Sequence, residues 1–508
     1  MSTASARRGW TNCATSSGCE GVDLRLVPAA LTCWAVTAAG IFWSVGAAMA
    51  TVAVAVAATV AAAWWGTRQG RTALDRRALA AAVAGVALVG GCFAAAVAVR
   101  VDAARHHPIT RHFGTVAAVT VIPAETPRVL DGARTMIRGS LVALDGAESS
   151  GDVVVFASGA GYTRLTAGQP AAFRAQISRP TRRDLTVAVL SARGEPVSGE
   201  AAPIHQAAHR LRARFADAAR LALPTDQAAM LPALVLGDTS AVPALVTAQF
   251  RESGLTHLTA VSGANVTIVC GAVLLSAVLV GPRAAVGLAA VTLIAFVVVV
   301  QPSPSVLRAA VMGAITLLAV LSHRRRQALP ALSATVIALM IGAPELAVDA
   351  GFALSVSATA ALIVVAPVWS RRLADRGWPR PLAAAVSVAV AAQLVTAPLV
   401  AAISGSVSVV AVVANLVVAP VIPPITVIGT AAAALCALWP AGAQVLIRFT
   451  GPEVWWLLTV ARWAARMPAA SVAVPSGPVG VLTVSVGALV VAAVWHWAVS
   501  SRRDTIVR

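Results

Sequence analysis

Long apolar stretches separated by short polar loops dominate this chain. A helix needs about 20 consecutive apolar residues to cross the hydrocarbon core of a bilayer. Eleven stretches approach or exceed that length: 28–47, 48–65, 78–99, 257–280, 284–300, 305–322, 328–343, 350–369, 382–403, 409–438 and 477–498. The pattern predicts a polytopic α-helical membrane protein with about 11 to 12 spans.

Two stretches near the C-terminal end leave the number of spans open. Residues 444–465 place Trp455 and Trp456 between arginines, so this stretch forms a further span or lies in the membrane interface. The 409–438 stretch contains PVIPP at 420–424, and prolines remove backbone donors. We favour a re-entrant or broken helix at Pro420 to Pro424, because broken helices at membrane depth usually line a cavity.

Residues 100–226 follow a different pattern. Short alternating or β-branched runs are separated by Gly, Pro and Asp, a spacing typical of a small five-stranded barrel. The runs are 114–122, 136–144, 152–157, 171–177 and 185–191. A basic helix near 204–221 follows. The chain therefore divides into 1–99, an N-terminal tail and three spans, then 100–226, the β domain with the basic helix, and 227–508, the remaining spans.

Composition adds a constraint on energy supply. Hydrophobic residues make up 58% of the chain and charged residues 12%, and the formal net charge is +18. All 39 basic residues are arginine, because the chain contains no lysine. A phosphate-binding P-loop needs the lysine of GxxxxGK[ST], so we do not expect this chain to be its own ATP-driven motor.

The arginines also predict the orientation, because cytoplasmic loops carry an excess of basic residues. Groups of arginines at 7–8, 68–77, 324–326 and 371–380 fall on one side if the N-terminus is cytoplasmic. The loops on the other side, at 301–305, 343–351 and 404–408, contain no arginine. Residues 100–226 are then outside the cell. Arginines 502 and 503 also favour the cytoplasm, which requires an even number of crossings.

Six blocks between residues 230 and 430 combine Gly, Pro and polar residues with apolar stretches. They are LPALVLGDTS (231–240), GLTHLTAVSGANV (254–266), SVLRAAVMG (305–313), GFALSVSATAAL (351–362), QLVTAPL (393–399) and ANLVVAPVIPP (414–424). In this order the blocks resemble the ComEC competence family. The positions that carry the resemblance are Gly237, Asp238, Gly254, Gly263, Gly351, Phe352, Ser355, Pro398 and Pro420.

That family consists of polytopic proteins implicated in carrying single-stranded DNA into bacterial cells. The resemblance implies an OB-like β domain and translocation of single-stranded DNA across the cytoplasmic membrane, with no enzymatic activity and no cofactor. It also implies an external DNA receptor and a cytoplasmic ATP-driven motor or strand-binding proteins as partners, and leaves a homo-oligomer open. Because no HxHxDH motif is present, the chain resembles a short form without the C-terminal metallo-β-lactamase-like domain.

Two other functions remain open. A transporter of another solute would explain intramembrane polar residues without the external domain. An intramembrane hydrolase would use Ser262 as nucleophile and His257 as base. Residues five apart on one helix point about 140° away from each other, a poor geometry for proton transfer.

Polar side chains inside apolar stretches are the candidates for a polar path, because such residues usually face a cavity or one another. The candidates are His257, Ser262, Asn265, Arg308, Gln393 and Asn415. Hydrogen bonding between helices is the alternative explanation for each of them. The family pattern often has histidine where this chain has Asn265, so we expect no proton transfer at that position.

The β domain offers aromatic and basic residues of the kind that bind single strands by stacking and charge. The candidates are Phe156, Tyr162, Arg164, Phe173, Arg174, Arg182 and Arg183, with Arg179 nearby. The alternative is that Phe156 and Phe173 belong to the barrel core and the arginines are a solvated face. His205 and His209 lie four residues apart, but they lack an acidic or cysteine partner nearby, and we expect no metal site.

The orientation can be tested with reporter fusions. We expect a reporter fused after Ala157 to be active only outside the cytoplasm, and one fused after Arg325 to be active only inside, because the arginine-rich loops stay inside. Cytoplasmic activity of the fusion at Ala157 would contradict the whole predicted orientation.

Overall fold

The structure, a computed structural model, describes residues 23–67, 73–130, 134–259, 261–276, 281–321 and 327–500. The helices are α1 (Val27–Phe42), α2 (Val45–Thr67), α3 (Ala73–Arg105), α4 (Ala160–Thr163), α5 (Pro203–Ala222), α6 (Thr225–Leu236), α7 (Ala244–Glu252), α8 (Gly263–Ser276), α9 (Pro282–Val300), α10 (Pro304–Leu321), α11 (Ala328–Gly342), α12 (Ala350–Val364), α13 (Ala366–Ala374), α14 (Arg380–Ser404), α15 (Ala411–Val418), α16 (Ile422–Leu435), α17 (Pro440–Phe449), α18 (Gly451–Arg466) and α19 (Pro478–Ser500). The strands are β1 (Val116–Pro123), β2 (Arg128–Val129), β3 (Arg134–Leu144), β4 (Ala147–Ser158), β5 (Ala171–Ser178), β6 (Ala188–Ser198), β7 (Ser406–Ser408) and β8 (Ser471–Ala473). The predicted orientation uses arginines 7, 8, 68, 71, 324–326, 502 and 503, which lie outside the described residues.

Most of the described chain is helical, as the apolar pattern predicts. Among the described residues, six helical segments are long and apolar enough to cross a membrane: Ala81–His112, Arg283–Val300, Pro304–Leu321, Ala350–Ala374, Arg380–Ser404 and Ala411–Leu435. Shorter apolar helices occupy Val27–Phe42, Val45–Ala61, Gly263–Ser276, Ala328–Gly342 and Pro478–Val494. Each of these eleven helices overlaps one of the eleven predicted stretches. The prediction of a polytopic helical membrane protein is confirmed.

Residues 444–465 fall within two short amphipathic helices, α17 and α18. Helix α18 has 16 residues, so it is about 24 Å long and shorter than the hydrocarbon core of a bilayer. One face of α18 is buried against the bundle through Val454, Leu457 and Ala461, whereas Trp455 and Trp463 are exposed. Its length and its two-faced character favour a helix that packs against the bundle over a full span.

The proline-rich segment at 420–424 interrupts a helix for only one turn. A 3-10 turn at Ala419–Val421 separates α15 from α16, and the residues on both sides keep right-handed helical dihedral angles. Pro423 and Pro424 lie in the first turn of α16, where the missing N–H groups would have no partner within the helix. The predicted break is therefore a local irregularity within a helical segment.

The β domain is a closed barrel of five strands, in the order β1-β5-β6-β4-β3 and back to β1. All pairs are antiparallel except β4 with β6. The two-residue strand β2 pairs with β3, and α4 connects β4 to β5. The core is formed by alternate inward residues, including Ile137, Leu141, Val155, Ile177 and Leu190. The prediction of a five-stranded barrel is confirmed.

The barrel packs on one end of the helical bundle. Gln301, directly after α9, accepts hydrogen bonds from the Thr126 backbone N–H at 3.0 Å and its hydroxyl at 3.1 Å. Leu185 packs on the cluster formed by α1, α11 and α12. The Arg183 guanidinium donates to the Phe42 carbonyl at the end of α1, at 3.4 Å. The arginine-free loop at 301–305 therefore lies at the barrel end of the bundle.

Gly254 allows the end of α7 to approach the start of α15 closely. Its φ is +71°, in the left-handed region that favours glycine. A Cβ atom at this position would lie 2.4 Å from the Cβ of Ala411. No side chain fits at this contact. Close packing therefore explains why a glycine occupies position 254.

Replacing Gly254 tests this contact. We expect Gly254→Ala to destabilise the protein by about 2–5 kcal/mol, because left-handed strain and overpacking add. Gly377 is the matched control, since its φ is +87° and a Cβ atom there would meet nothing within 4 Å. Gly377→Ala should show only the strain, about 1–2 kcal/mol. Thermal unfolding in one detergent measures both, and equal costs would argue against the contact.

Candidate functional site

Five residues of the sequence blocks meet where α8, α10 and α12 pack together. Ser262 and Asn265 lie at the start of α8, Arg308 comes from α10, and Ser355 comes from α12. The Ser262 hydroxyl donates to Asn265 Oδ1 at 3.3 Å, and Arg308 Nε donates to the Ser355 hydroxyl at 2.7 Å. The fifth member is Gly263, where a Cβ atom would lie 2.5 Å from Arg308 Nη2. We call these five residues the polar cluster.

Arg308 is the charged member of the polar cluster and is only 6% exposed. Beyond its bond to Ser355, its Nη1 lies 4.0 Å from the sulfur of Met312. No carboxylate of the described residues forms an ion pair with Arg308. The bundle thus buries a permanent positive charge without a negative partner in this part of the chain.

Asn265 connects the polar cluster to the rest of the bundle. Its side chain is 6% exposed, and its Nδ2 donates to the Leu234 carbonyl on α6 at 3.1 Å. Asn265 and Ser262 also line a small cavity. The other walls of this cavity are mainly apolar: Leu234, Leu258, Ile422, Ile425 and Thr426.

His257 lies on a 3-10 turn at Thr256–Leu258, before α8 begins. Its side chain is exposed. The Ser262 hydroxyl donates to Asn265 and not to His257, so the described geometry does not assemble the nucleophile and base of a hydrolase.

Gln393 and Asn415 lie apart from the polar cluster. Gln393 Nε2 donates to the Ser408 carbonyl at 3.3 Å, and the Ser408 hydroxyl donates to the Glu252 carbonyl at 2.8 Å. Asn415 Nδ2 donates to the Ala411 carbonyl within its own helix, at 2.8 Å. No hydrogen bond between described residues joins either side chain to the polar cluster. These contacts agree with the alternative explanation, in which the two side chains form structural hydrogen bonds and do not line a polar path.

Gly351 and Phe352 lie in the first turn of α12, and Phe352 anchors the N-terminal helix. Its ring is fully buried and meets Trp34 of α1 edge-on, with ring centroids 5.5 Å apart. Trp34 Nε1 donates to the Ala347 carbonyl at 2.9 Å, and Asp349 caps α12 by accepting from the Phe352 N–H. This part of the sequence block therefore holds α1 against the bundle.

The proline positions and the Gly-Asp step lie at helix irregularities. Pro398 lies inside α14 and Pro420 in the 3-10 turn before α16. Gly237 ends α6 in the left-handed conformation. Asp238 follows and accepts a hydrogen bond from the Ser240 hydroxyl at 2.7 Å.

Arg212 on α5 is a buried arginine that sequence reasoning did not single out. It is 7% exposed, and its Nη1 donates to the carbonyls of Leu236 at 3.1 Å and Val299 at 3.0 Å. Its Nη2 lies 3.7 Å from the Asp238 carboxylate. Burial lowers the pKa of this guanidinium, and Asp238 partly offsets the effect. Arg212 therefore caps the C-terminal ends of α6 and α9.

In the barrel, the aromatic candidates separate into core and surface. Tyr162 is fully buried and Phe173 is 7% exposed, with ring centroids 5.5 Å apart. Burial, with a further contribution from Glu195, raises the pKa of Tyr162 to about 12. Both rings pack inside the barrel, so neither can stack on a base. Phe156 is half-buried on the outer side of β4, so the alternative that places it in the barrel core does not hold, and it remains a surface candidate.

The basic candidates are exposed, but they do not all share one surface. Arg164, Arg174 and Arg182 are exposed, and Arg183 is held at the end of α1. Arg179 lies over the Phe113 ring, at 5.7 Å from its centroid. The arginines are therefore spread over several sides of the barrel.

Two arginines that were not candidates complete a basic surface around Phe156. The Arg134 guanidinium lies 5.2 Å from the centre of the Phe156 ring. Arg193 on β6 is opposite Arg174 on β5, and Ser191, two residues earlier, is beside Phe156. We call Arg134, Phe156, Arg174 and Arg193 the arginine face. Like charges directly opposite each other are destabilising, so this face favours an anionic ligand.

Among the described residues, no group of three His, Cys, Asp or Glu side chains is placed to hold a metal ion. His205 packs against Gly168 and His209 is exposed on α5.

Comparison with known proteins identifies the family. The model of the family described as "Competence protein" matches residues 234–499, more than half of the 508 residues. The chain therefore belongs to the competence protein family, and the resemblance seen in the six sequence blocks is confirmed. No curated protein and no solved structure matches the chain.

The Arg212 cap can be tested by comparing it with a neighbour on the same helix. We expect Arg212→Leu to lower stability by about 3–5 kcal/mol, because buried carbonyls and Asp238 lose their partner. Arg214 is exposed, so Arg214→Leu should change stability by no more than about 0.5 kcal/mol. Thermal unfolding of both variants in the same detergent measures the difference, and similar stabilities would argue against the cap.

Proposed function

We propose that this protein carries single-stranded DNA across the cytoplasmic membrane of a bacterium during DNA uptake. The observation that carries the proposal is the arginine face of the barrel, attached to a membrane domain of the competence family. Single strands bind to surfaces that combine aromatic rings with basic groups that follow the backbone. Phe156 offers the ring, and Arg134, Arg174 and Arg193 offer the charges.

The barrel topology supports the same function. Numbered along the chain, its five strands follow the order 1-2-3-5-4-1, with strands 3 and 5 parallel. We propose that this barrel is OB-like, which would place it in a class of five-stranded barrels that bind oligonucleotides across their strand surface. Arg134 lies on the second barrel strand, β3, and Phe156 lies on the third, β4. In OB folds these two strands form the binding face.

The proposed orientation places the barrel outside the cell and the N-terminus in the cytoplasm. DNA would meet the barrel first, delivered by an external receptor. Inward movement of each phosphate against the membrane potential costs about 2.3 kcal/mol per 100 mV for a full charge. A chain without a P-loop lysine needs a cytoplasmic ATP-driven motor or strand-binding proteins to do this work.

Nearby charges on the arginine face do not cancel it. Glu195 is on the same strand as Arg193, but its carboxylate packs against the backbone at Gly159 and Gly161. Arg193 Nη2 donates to Gln176 Oε1 at 2.8 Å, which is a neutral partner. The guanidinium groups of Arg174 and Arg193 therefore keep their charge available for phosphates.

The arginine face makes a quantitative prediction for DNA binding. For single strands, each neutralised phosphate contributes about 0.7 to the slope of log affinity against log salt. The double variant Arg174→Gln/Arg193→Gln of the full chain should bind a labelled oligonucleotide more weakly, with a slope smaller by about 1.4. Arg220→Gln is the control, because Arg220 is exposed and paired with Asp217 on α5.

Fluorescence anisotropy in detergent at several salt concentrations gives both slopes. The same variants should also be compared in a transformable bacterium whose own competence channel is deleted. Full wild-type uptake and an unchanged slope in the double variant would remove the arginine face from the DNA path. Failure of the wild-type chain to restore any uptake, at a normal level in the membrane, would contradict the proposed function itself.

A further inference from the structure

We propose that the N-terminus of α8 and Arg308 form a binding site for one phosphate-type oxyanion within the membrane domain. Its identification with a phosphodiester of the moving strand rests on the proposed function. The anion site itself rests on the geometry of the polar cluster alone.

The first part of the site is the N-terminal end of a helix. Helix α8 has 14 residues, and the first N–H groups of a helix lack partners within it. The Asn265 N–H is used by the Ser262 carbonyl at 3.1 Å. The N–H groups of Gly263 and Ala264 come before it and point toward the start of the helix, where the macrodipole is positive. Phosphates bind readily at such ends.

The second part is Arg308, whose guanidinium lies against that helix end. Its Nη2 would be 2.5 Å from a Cβ atom on Gly263, so the absence of a side chain there is what admits it. No described residue offers an oxygen acceptor to Nη1 or Nη2. A positive side chain that is only 6% exposed thus faces the positive end of a helix. Two like charges in an apolar surrounding repel each other, and an anion bound to both of them would offset this repulsion with two attractive interactions.

Arg212 shows that this bundle can supply oxygen acceptors to the Nη atoms of a buried arginine, which Arg308 lacks among the described residues. Arg212 is equally buried, and the same bundle gives it the carbonyls of Leu236 and Val299 and the carboxylate of Asp238. Buried charges are normally paired in this way. Arg308 Nη2 lies beside Gly263 at the N-terminal end of α8, whereas Arg212 reaches the acceptor ends of two helices. An acceptor from outside the described residues would therefore complete the coordination of Arg308.

The chemistry of the donors favours a tetrahedral oxyanion. A guanidinium offers two parallel N–H donors that fit two phosphate oxygens, and helix N–H groups can bind a third. Ser262 and Asn265, in the same first turn, line the cavity that opens beside the polar cluster. A phosphodiester, a lipid headgroup and free phosphate share this chemistry.

The test uses the purified full chain in a neutral detergent free of anionic lipid, with inorganic phosphate as the probe. Phosphate should raise the unfolding temperature more than chloride at equal ionic strength. Arg308→Gln should weaken this phosphate effect at least about tenfold, because a charged hydrogen-bond partner is lost. Arg251→Gln is the matched control, since Arg251 is exposed on α7, and it should keep the full effect.

Two outcomes overturn the site. One is a phosphate effect of equal size in the wild type and in a folded Arg308→Gln variant, and the other is no phosphate effect beyond that of chloride in the wild type. If Arg308→Gln does not fold, Gly263→Ala replaces it, because the added Cβ displaces the guanidinium from the helix end. That variant should lose the phosphate effect, and its retention would overturn the site as well.

Further arms of the experiment identify the source of the anion. Vesicles with anionic phospholipid should produce the Arg308-dependent effect if the ligand is a headgroup. A short oligonucleotide should produce it if the ligand is a phosphodiester, and the same oligonucleotide with uncharged methylphosphonate links should not. An Arg308-dependent phosphate effect without any DNA uptake would keep the anion site and contradict the proposed function. DNA uptake without an Arg308-dependent phosphate effect would contradict the anion site and keep the proposed function.

Discussion

The membrane domain depends on one guanidinium that satisfies two helix ends at once. The last carbonyls of a helix have no partner within it, and in an apolar bundle unpaired carbonyls are costly. Arg212 supplies donors to the ends of α6 and α9. A cation at a helix C-terminus also complements the macrodipole. The Gly-Asp step at 237–238 fits the same arrangement, because it ends α6 and brings the Asp238 carboxylate to the same guanidinium.

Most other polar side chains of the bundle are satisfied on their own helices. The hydroxyls of Thr37 and Thr335 donate to carbonyls four residues earlier, and the Asn415 amide does the same. Such residues cost little to bury and need no functional explanation. Arg308 is different, because a charge cannot be satisfied by one neutral hydroxyl. Ser387, Thr430 and Glu453 each bury one side-chain oxygen without a partner, but Arg308 is the buried side chain here that carries a permanent positive charge without a carboxylate partner among the described residues. The polar cluster is therefore the part of the bundle where a ligand has the strongest physical justification.

Length and period made the helices and barrel strands predictable, since both signals are local. The inward position of Phe173 could also be predicted, because residues 171, 173, 175 and 177 alternate as a buried row. Tyr162 could not, because it lies on α4, a four-residue helix that no periodic pattern indicates. Arg193 became a candidate only through its pairing with Arg174, and strand pairing is not local. The spacing of Arg212 from Ala208 and Phe215 indicates that it lies on the buried face of α5. Its acceptors could not be predicted, because they lie 24 and 87 residues away along the chain.

The short connection between barrel and bundle has a mechanical consequence. Strand β6 ends at Ser198, and α5 begins at Pro203 and carries Arg212. A load on the barrel along this connection passes into α5, which is held in the bundle by the buried Phe215, Ala218 and Ala219. Arg212 carries part of this load to the ends of α6 and α9. Helix α6 also carries Leu234, whose carbonyl holds Asn265. Tension on the barrel is thus linked to Asn265, at the edge of the polar cluster, through α5, the Arg212 hydrogen bonds and α6.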